Sequence, residues 1–208
     1  MRRSVFLCAL ARIRAETIYK RRKICYNGGM KALREHKRTA HDVSRIAISV
    51  ALISVCSWIS IPVGASVKYT LQLLAVFVCC ASLGAKRGFA AVAVYAVIGL
   101  VGLPVFAGFS AGPSATTGFV LGFLPAAVLV GCGRRLADKK IRFRFALRIA
   151  MMLGGLLLCY AVGTVWFMIW TDCGLVAALA FTVLPYFVFD LVKTALAAYL
   201  SERIGRIQ

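Results

Sequence analysis

The chain has 208 residues, 61% of them apolar, with 26 Lys+Arg against 7 Asp+Glu for a formal charge of +19 and a mean hydropathy of +0.84. A soluble domain is typically about 45–50% apolar, so too little polar surface is present to cover a water-exposed globule, and a disordered basic chain would lack the apolar residues. The charge suggests nucleic acid, but thirteen bases lie in residues 1–45 and seven more between residues 134 and 148, with nearly uncharged apolar stretches between. That is the pattern of an all-α integral membrane protein with basic loops, in contact with a lipid bilayer and with no nucleic acid as partner.

Residues 1–43 read as a basic cytoplasmic extension, with runs such as Lys20-Arg21-Arg22-Lys23. The apolar stretch 5–11 is stopped by Arg12, which is marginal for a secretory signal and too short to span a bilayer. Met30, just ahead of the first span, is an alternative start. Six apolar segments follow, at 46–64, 70–84, 89–103, 118–133, 149–170 and 175–200, giving a six-helix membrane domain over 44–201 and a cytoplasmic tail over 202–208. Segments two to four fall short of the ~20 residues that cross ~30 Å of hydrocarbon. Lipid offers no hydrogen bonds to the backbone, so all six are expected to be helical.

The loops fix an orientation. Loop 104–117 carries no charge, loop 171–174 has only Asp172 and loop 65–69 has one base, Lys68. Twenty-four of the 26 bases fall on the other side, with Lys193 inside the last segment. The positive-inside rule then places both termini in the cytoplasm, for a multi-pass protein of the cytoplasmic (inner) membrane.

No CxxC occurs among the 8 cysteines, and His36 and His41 both precede the first span. The cysteines read as small packing residues, and neither a metal nor a cofactor is implied. There is no P-loop, no H-E-x-x-H and no pair of intramembrane acids, so no enzymatic activity is expected and any ATP-driven step needs a partner subunit.

The most unusual stretch is Pro185-Tyr-Phe-Val-Phe-Asp190-Leu-Val-Lys193. Asp190 and Lys193 are three apart and share a helical face. Two roles are open to them. They form a structural ion pair, or they form a polar ligand site, since charges at membrane depth usually face a cavity. A carboxylate acceptor beside an ammonium donor suits a ligand with adjacent N–H and C=O groups, a urea or an amide. The uncharged, glycine-rich loop from Gly102 to Gly118 permits close backbone approach to a ligand, although turns also use glycine for its own sake. Ala47-x-x-x-Ala51 puts two small residues on one face of the first helix, either a partner contact or a chance spacing in an alanine-rich chain.

Read in order, several runs resemble the BioY family, the biotin-specific substrate-binding subunits of energy-coupling factor transporters. They are Ile59-Ser-Ile-Pro-Val-Gly64, Tyr69-Thr-Leu-Gln-Leu-Leu-Ala-Val-Phe77, Leu83-Gly-Ala-Lys-Arg-Gly88, Gly99-Leu-Val-Gly-Leu-Pro-Val-Phe-Ala-Gly108, Gly118-Phe-Val-Leu-Gly-Phe123, Tyr160-Ala-Val-Gly-Thr-Val-Trp166 and Asp190-Leu-Val-Lys193. The resemblance implies six membrane helices and capture of biotin from outside. It also implies assembly with a transmembrane coupling protein and two ATPase subunits. Asp190 and Lys193 match the residues that contact the ureido ring in this family, in agreement with the urea argument. The resemblance brings Gln72, Phe106 and Gly108 into the candidate site. Tyr160, Tyr186 and Trp166 are aromatic candidates for its wall, and loops 64–70 and 104–117 are expected to cover the ligand. Ala47 and Ala51 match the small-residue motif that docks to the coupling protein.

One departure concerns the far end of the ligand. The run Pro113-Ser-Ala-Thr-Thr-Gly118 is shorter than its family counterpart, and no Arg or Lys occurs between Gly88 and Gly133. The carboxylate is left with loop amides, Ser110, Thr116 or Thr117, and with Lys68 as the one outward-loop cation, although Lys68 reads more simply as a solvated loop charge. The rival readings are a subunit for another vitamin, an intramembrane enzyme or lipid-handling protein, and a membrane scaffold without transport.

Overall fold

The computed structural model describes residues 39–62, 68–139 and 144–207. Most of the basic extension, Met30 and the tip of loop 64–70 lie outside them. Arg45–Gln208 forms one compact unit, and the part of the chain before it is described only from Thr39, in the first turns of a helix. The described elements are α1 (Thr39–Trp58), then β1 (Ser60–Pro62), β2 (Lys68–Thr70), α2 (Gln72–Leu83), α3 (Ala85–Val101), α4 (Thr117–Lys139), α5 (Arg144–Thr171), α6 (Leu175–Thr182) and α7 (Phe187–Ile207). The helix α7 runs on through the residues read as a tail.

Two expectations need correction. The chain is not wholly helical, because β1 and β2 pair antiparallel, Ser60 with Thr70 and Pro62 with Lys68. Strands of three residues are too short for an alternating pattern to show in a sequence. The sixth segment is also not one helix. It breaks between Thr182 and Phe187, and α6 and α7 meet at 55°. Pro185 has no N–H to continue the ladder. The turn is closed instead by Val183 and Leu184 donating to the Leu179 carbonyl and by Tyr186 donating to Val183.

Among the described residues three helices, α1, α4 and α5, are long and apolar enough to cross a membrane, and α6 with α7 makes a fourth if the bent pair is one span. The 12 residues of α2 and the 17 of α3 reach only about 18 and 26 Å at 1.5 Å per residue. Large apolar side chains nevertheless cover the outside. Ile48 is 69% exposed, Leu157 64% and Val176 82%, a surface that suits lipid and would be costly in water.

The inside is packed through small residues. In α1 the buried face is Ser49, Val50, Ile53, Ser54 and Ser57, and the serine hydroxyls return to their own helix, Ser49 to the Arg45 carbonyl and Ser54 to that of Val50. Buried hydroxyls are thus satisfied without a partner helix. The α4–α5 pair makes the most extensive helix contact. A Cβ at Gly122 would lie 2.9 Å from Cys159 Cα, and Gly118 and Gly163 are filled by Trp166 and Phe119. Close backbone approach of this kind is how membrane helices associate where lipid removes the hydrophobic drive between them.

Candidate functional site

A cavity of about 310 Å³ opens between the helices and the two outer connections, at the small end of the range for small-molecule sites, ~300–1,000 Å³. Its apolar wall includes Leu73, Phe119, Val120, Phe123 and Leu156, contributed by α2, α4 and α5. Its polar groups sit in two places.

The first is the start of α7. Because the helix begins only at Phe187, Asp190 lies in its first turn, where the positive end of the helix dipole favours an anion. Asp190 and Lys193 are 9% and 6% exposed. Lys193 Nζ donates to Asp190 Oδ1 at 2.9 Å, and the Tyr160 hydroxyl donates to Oδ2 at 2.7 Å. The ammonium also stands 3.7 Å from the centre of the Tyr69 ring, a cation–π contact that holds it without a second carboxylate. Tyr69 lies in β2, and burial, together with the Asp190 charge, pushes its phenol above the ordinary tyrosine range. The result is an acid and an amine side by side, each with a lateral support, on the cavity wall beside Tyr160, Thr182 and Tyr186.

The second polar region is the connection 102–116 with the β-hairpin. Ser110, Ser114, Thr116, Thr117 and Lys68 all line the cavity there. Gln72 donates to the Tyr95 hydroxyl at 2.9 Å, and that hydroxyl donates to the Val105 carbonyl at 3.0 Å. The Ser57 hydroxyl donates to the same carbonyl. This buried relay moors the loop to α1, α2 and α3. Trp58 Nε1 donates to the Pro104 carbonyl at 2.9 Å and the Trp58 ring stacks on Phe109. At the other end Trp166 Nε1 donates to the Ser114 carbonyl at 3.0 Å.

Of the residues expected at the site, Asp190, Lys193, Gln72, Phe106, Tyr160 and Tyr186 line the cavity and are brought together from five parts of the chain. Gly108 is not among the lining residues. It is left-handed, with φ 65°, and sits behind Lys68, where a Cβ would stand 2.7 Å from Nζ. Trp166 is likewise one layer back, bonded to the wall. Ala47 and Ala51 are exposed on α1, next to exposed Ile48, Leu52 and Val55.

Lys68 is exposed, as a solvated charge would be, and it also stands at the cavity mouth, with Nζ donating to the Ala107 carbonyl at 3.4 Å. Three-residue pairing places it there, and no local sequence signal announces such a pairing. Sequence reasoning also missed Ser114, Thr182 and the apolar wall, which hydropathy cannot tell from ordinary helix packing.

One motif that the sequence reading passed over, the run Gly108-Phe-Ser110-Ala-Gly112, matches the G-x-S-x-G letters of hydrolase nucleophile turns. It lacks the strand–turn–helix setting that makes such a serine reactive, the cavity wall contains no histidine, and the Ser110 hydroxyl donates to the Ala107 carbonyl.

The family model described as BioY family matches residues 30–208. The chain belongs to the BioY family. A probable biotin transporter BioY of Pyrococcus horikoshii is 37% identical to it over 169 residues, covering 79% of this chain and 96% of that one. The biotin transporter BioY of Thermotoga maritima is 37% identical over 168 residues, covering 79% and 95%. The fold resembles a solved structure, the S-component for biotin from an ECF-type ABC transporter, with a TM-score of 0.73 at 23% identity, over 83% of this chain and 94% of that one. These BioY relatives are transporters, and with its lipid-facing surface this BioY chain is a membrane protein.

Proposed function

We infer that this protein captures biotin at the outer face of the cytoplasmic membrane and is the substrate-binding subunit of an energy-coupling factor transporter. The supporting observation is the Asp190–Lys193–Tyr160 cluster on the wall of a small apolar cavity, in a chain whose relatives are named biotin transporters. The cyclic urea of biotin offers N–H groups to the Asp190 carboxylate and a carbonyl to the Lys193 ammonium. Its fused rings and tail then lie along Phe119, Val120, Phe123 and Leu156, where burial of apolar surface adds to affinity.

Capture involves no bond making. The chain crosses the membrane six times in this reading, α6 and α7 forming one broken crossing, with both termini inside. Transport is reorientation of the loaded subunit, driven by ATP hydrolysis in two ATPases through a coupling protein. Ala47 and Ala51, exposed on α1, are the contact offered to that protein.

Isothermal titration of the purified protein in detergent tests the reading. Biotin and desthiobiotin, which share the ureido ring, are expected to bind, and riboflavin and thiamin are not. Binding of another vitamin in preference to biotin would overturn the assignment. An Asp190→Asn variant that binds biotin as well as the parent would overturn the site.

A further inference from the structure

We propose that Lys68, held in a cradle formed by Gly108 and the Ala107 carbonyl, is the cation that recognises the carboxylate end of the ligand; this rests on the biotin reading and deepens it. Three observations converge on it. Charge comes first. Three charged residues line the cavity, and Asp190 and Lys193 pair with each other, so Lys68 gives the cavity a net positive charge at its mouth. The described residues bring no carboxylate to Lys68. Its hydrogen bond runs to a carbonyl, at the long distance of 3.4 Å.

Position is the second. The hydroxyl of Ser110 donates to the same Ala107 carbonyl at 3.0 Å. An ammonium and a hydroxyl thus aim at one backbone oxygen on the cavity wall, and both can turn to an incoming carboxylate, with Thr116 and Thr117 on the same wall. A charged acceptor draws such donors more strongly than a neutral carbonyl does.

The third is the space behind it. Gly108 has φ 65° and a Cβ there would lie 2.7 Å from Lys68 Nζ and 3.1 Å from Ser60 Oγ. The loop therefore brings its backbone close under the exposed ammonium at a residue that lacks a side chain. This also accounts for Gly108 standing outside the wall while remaining tied to it.

The experiment compares biotin with biotin methyl ester, which keeps the rings and tail and removes the negative charge. Affinities are measured by titration calorimetry on the full chain in detergent, as the parent and as Lys68→Met, Lys68→Arg and Gly108→Ala. The parent is expected to prefer the acid by about fivefold, the size of a partly exposed ion pair, and the preference should shrink as salt is raised. Lys68→Met should bind acid and ester alike at the parent's ester affinity, which also shows that the variant is folded. Lys68→Arg should restore the preference, and Gly108→Ala should narrow it by displacing the ammonium. An acid preference that survives in Lys68→Met, or a parent that binds both ligands equally, overturns the proposal while leaving biotin recognition in place. A parent that binds neither overturns the biotin reading itself.

Discussion

The two walls of the cavity are built on different principles. The inner wall, from α4, α5 and α7, is helix against helix, and its glycines are there for space: a side chain at Gly122 would run into the backbone of Cys159. The outer cover, made of the hairpin and the connection 102–116, is anchored by one buried side chain, Phe106, packed against Tyr95 and Gly99, and is otherwise held by a handful of hydrogen bonds. At Gly112 there is open space but a left-handed backbone, φ 77°. The inner wall resists displacement through packing density. Away from Phe106 the outer cover keeps its shape through conformation and capping bonds, which break at lower cost, so on the proposed function this is the side on which a ligand would pass.

The sharpest way to break this comparison is at the ion pair. Asp190→Asn removes one ligand contact and leaves the Lys193 ammonium buried over Tyr69 without its carboxylate. Loss of a buried partner costs about 3–5 kcal/mol of stability, and biotin affinity should fall by at least about thirtyfold. Thermal unfolding and calorimetry read the two effects. A variant with parental stability and affinity would mean the cluster is idle.

Next comes Gly122→Val. Overpacking against Cys159 is expected to cost about 1–3 kcal/mol, seen as a lower Tm, with weaker binding because Tyr160 is the neighbouring residue. An unchanged Tm would mean that the inner wall yields, and the contrast between the walls would be lost.

Tyr95→Phe attacks the cover without touching the ligand. It strips the Val105 carbonyl of one donor and leaves the Gln72 amide unpaired, at a cost of about 1–3 kcal/mol. Ligand exchange should quicken in stopped-flow measurements while equilibrium affinity drops modestly. Gly112→Ala should be the mildest. Placing a side-chain-bearing residue in the left-handed region costs about 1–2 kcal/mol, so dissociation should speed up slightly and the Tm should fall by a few degrees. If dissociation slowed instead, the cover would not be the route of exit.

The sequence makes the helical segments and the charged pair legible because both are coarse signals. Long apolar runs stand out by composition, and an acid and an amine inside one of them have no ordinary reason to be there. The broken last segment is a different matter. Pro125 lies inside α4 without interrupting it, whereas the chain breaks just ahead of Pro185. The two prolines sit in similarly apolar surroundings, and what separates them is tertiary: α4 is braced along its length by α5, whereas α6 is a helix of 8 residues with a small contact to α5. The place of Lys68 at the cavity mouth is hidden from the sequence for a related reason. Its place depends on a strand pairing of three residues and on a glycine forty positions later in the chain, neither of which leaves a local pattern.

The interruption before α7 alters what the acid can do. Had the segment run straight, Asp190 would lie in mid-helix, where every backbone amide is already engaged, and Lys193 would be its main counterweight. Beginning the helix at Phe187 places the carboxylate within the first turn, where the positive end of the helix dipole supplies a bias worth about 0.3–1 kcal/mol, even though the Phe187 and Asp190 amides already donate to Val183 and Tyr186. The lysine is then free to lean towards an arriving guest while its neighbour keeps an electrostatic companion in the main chain itself.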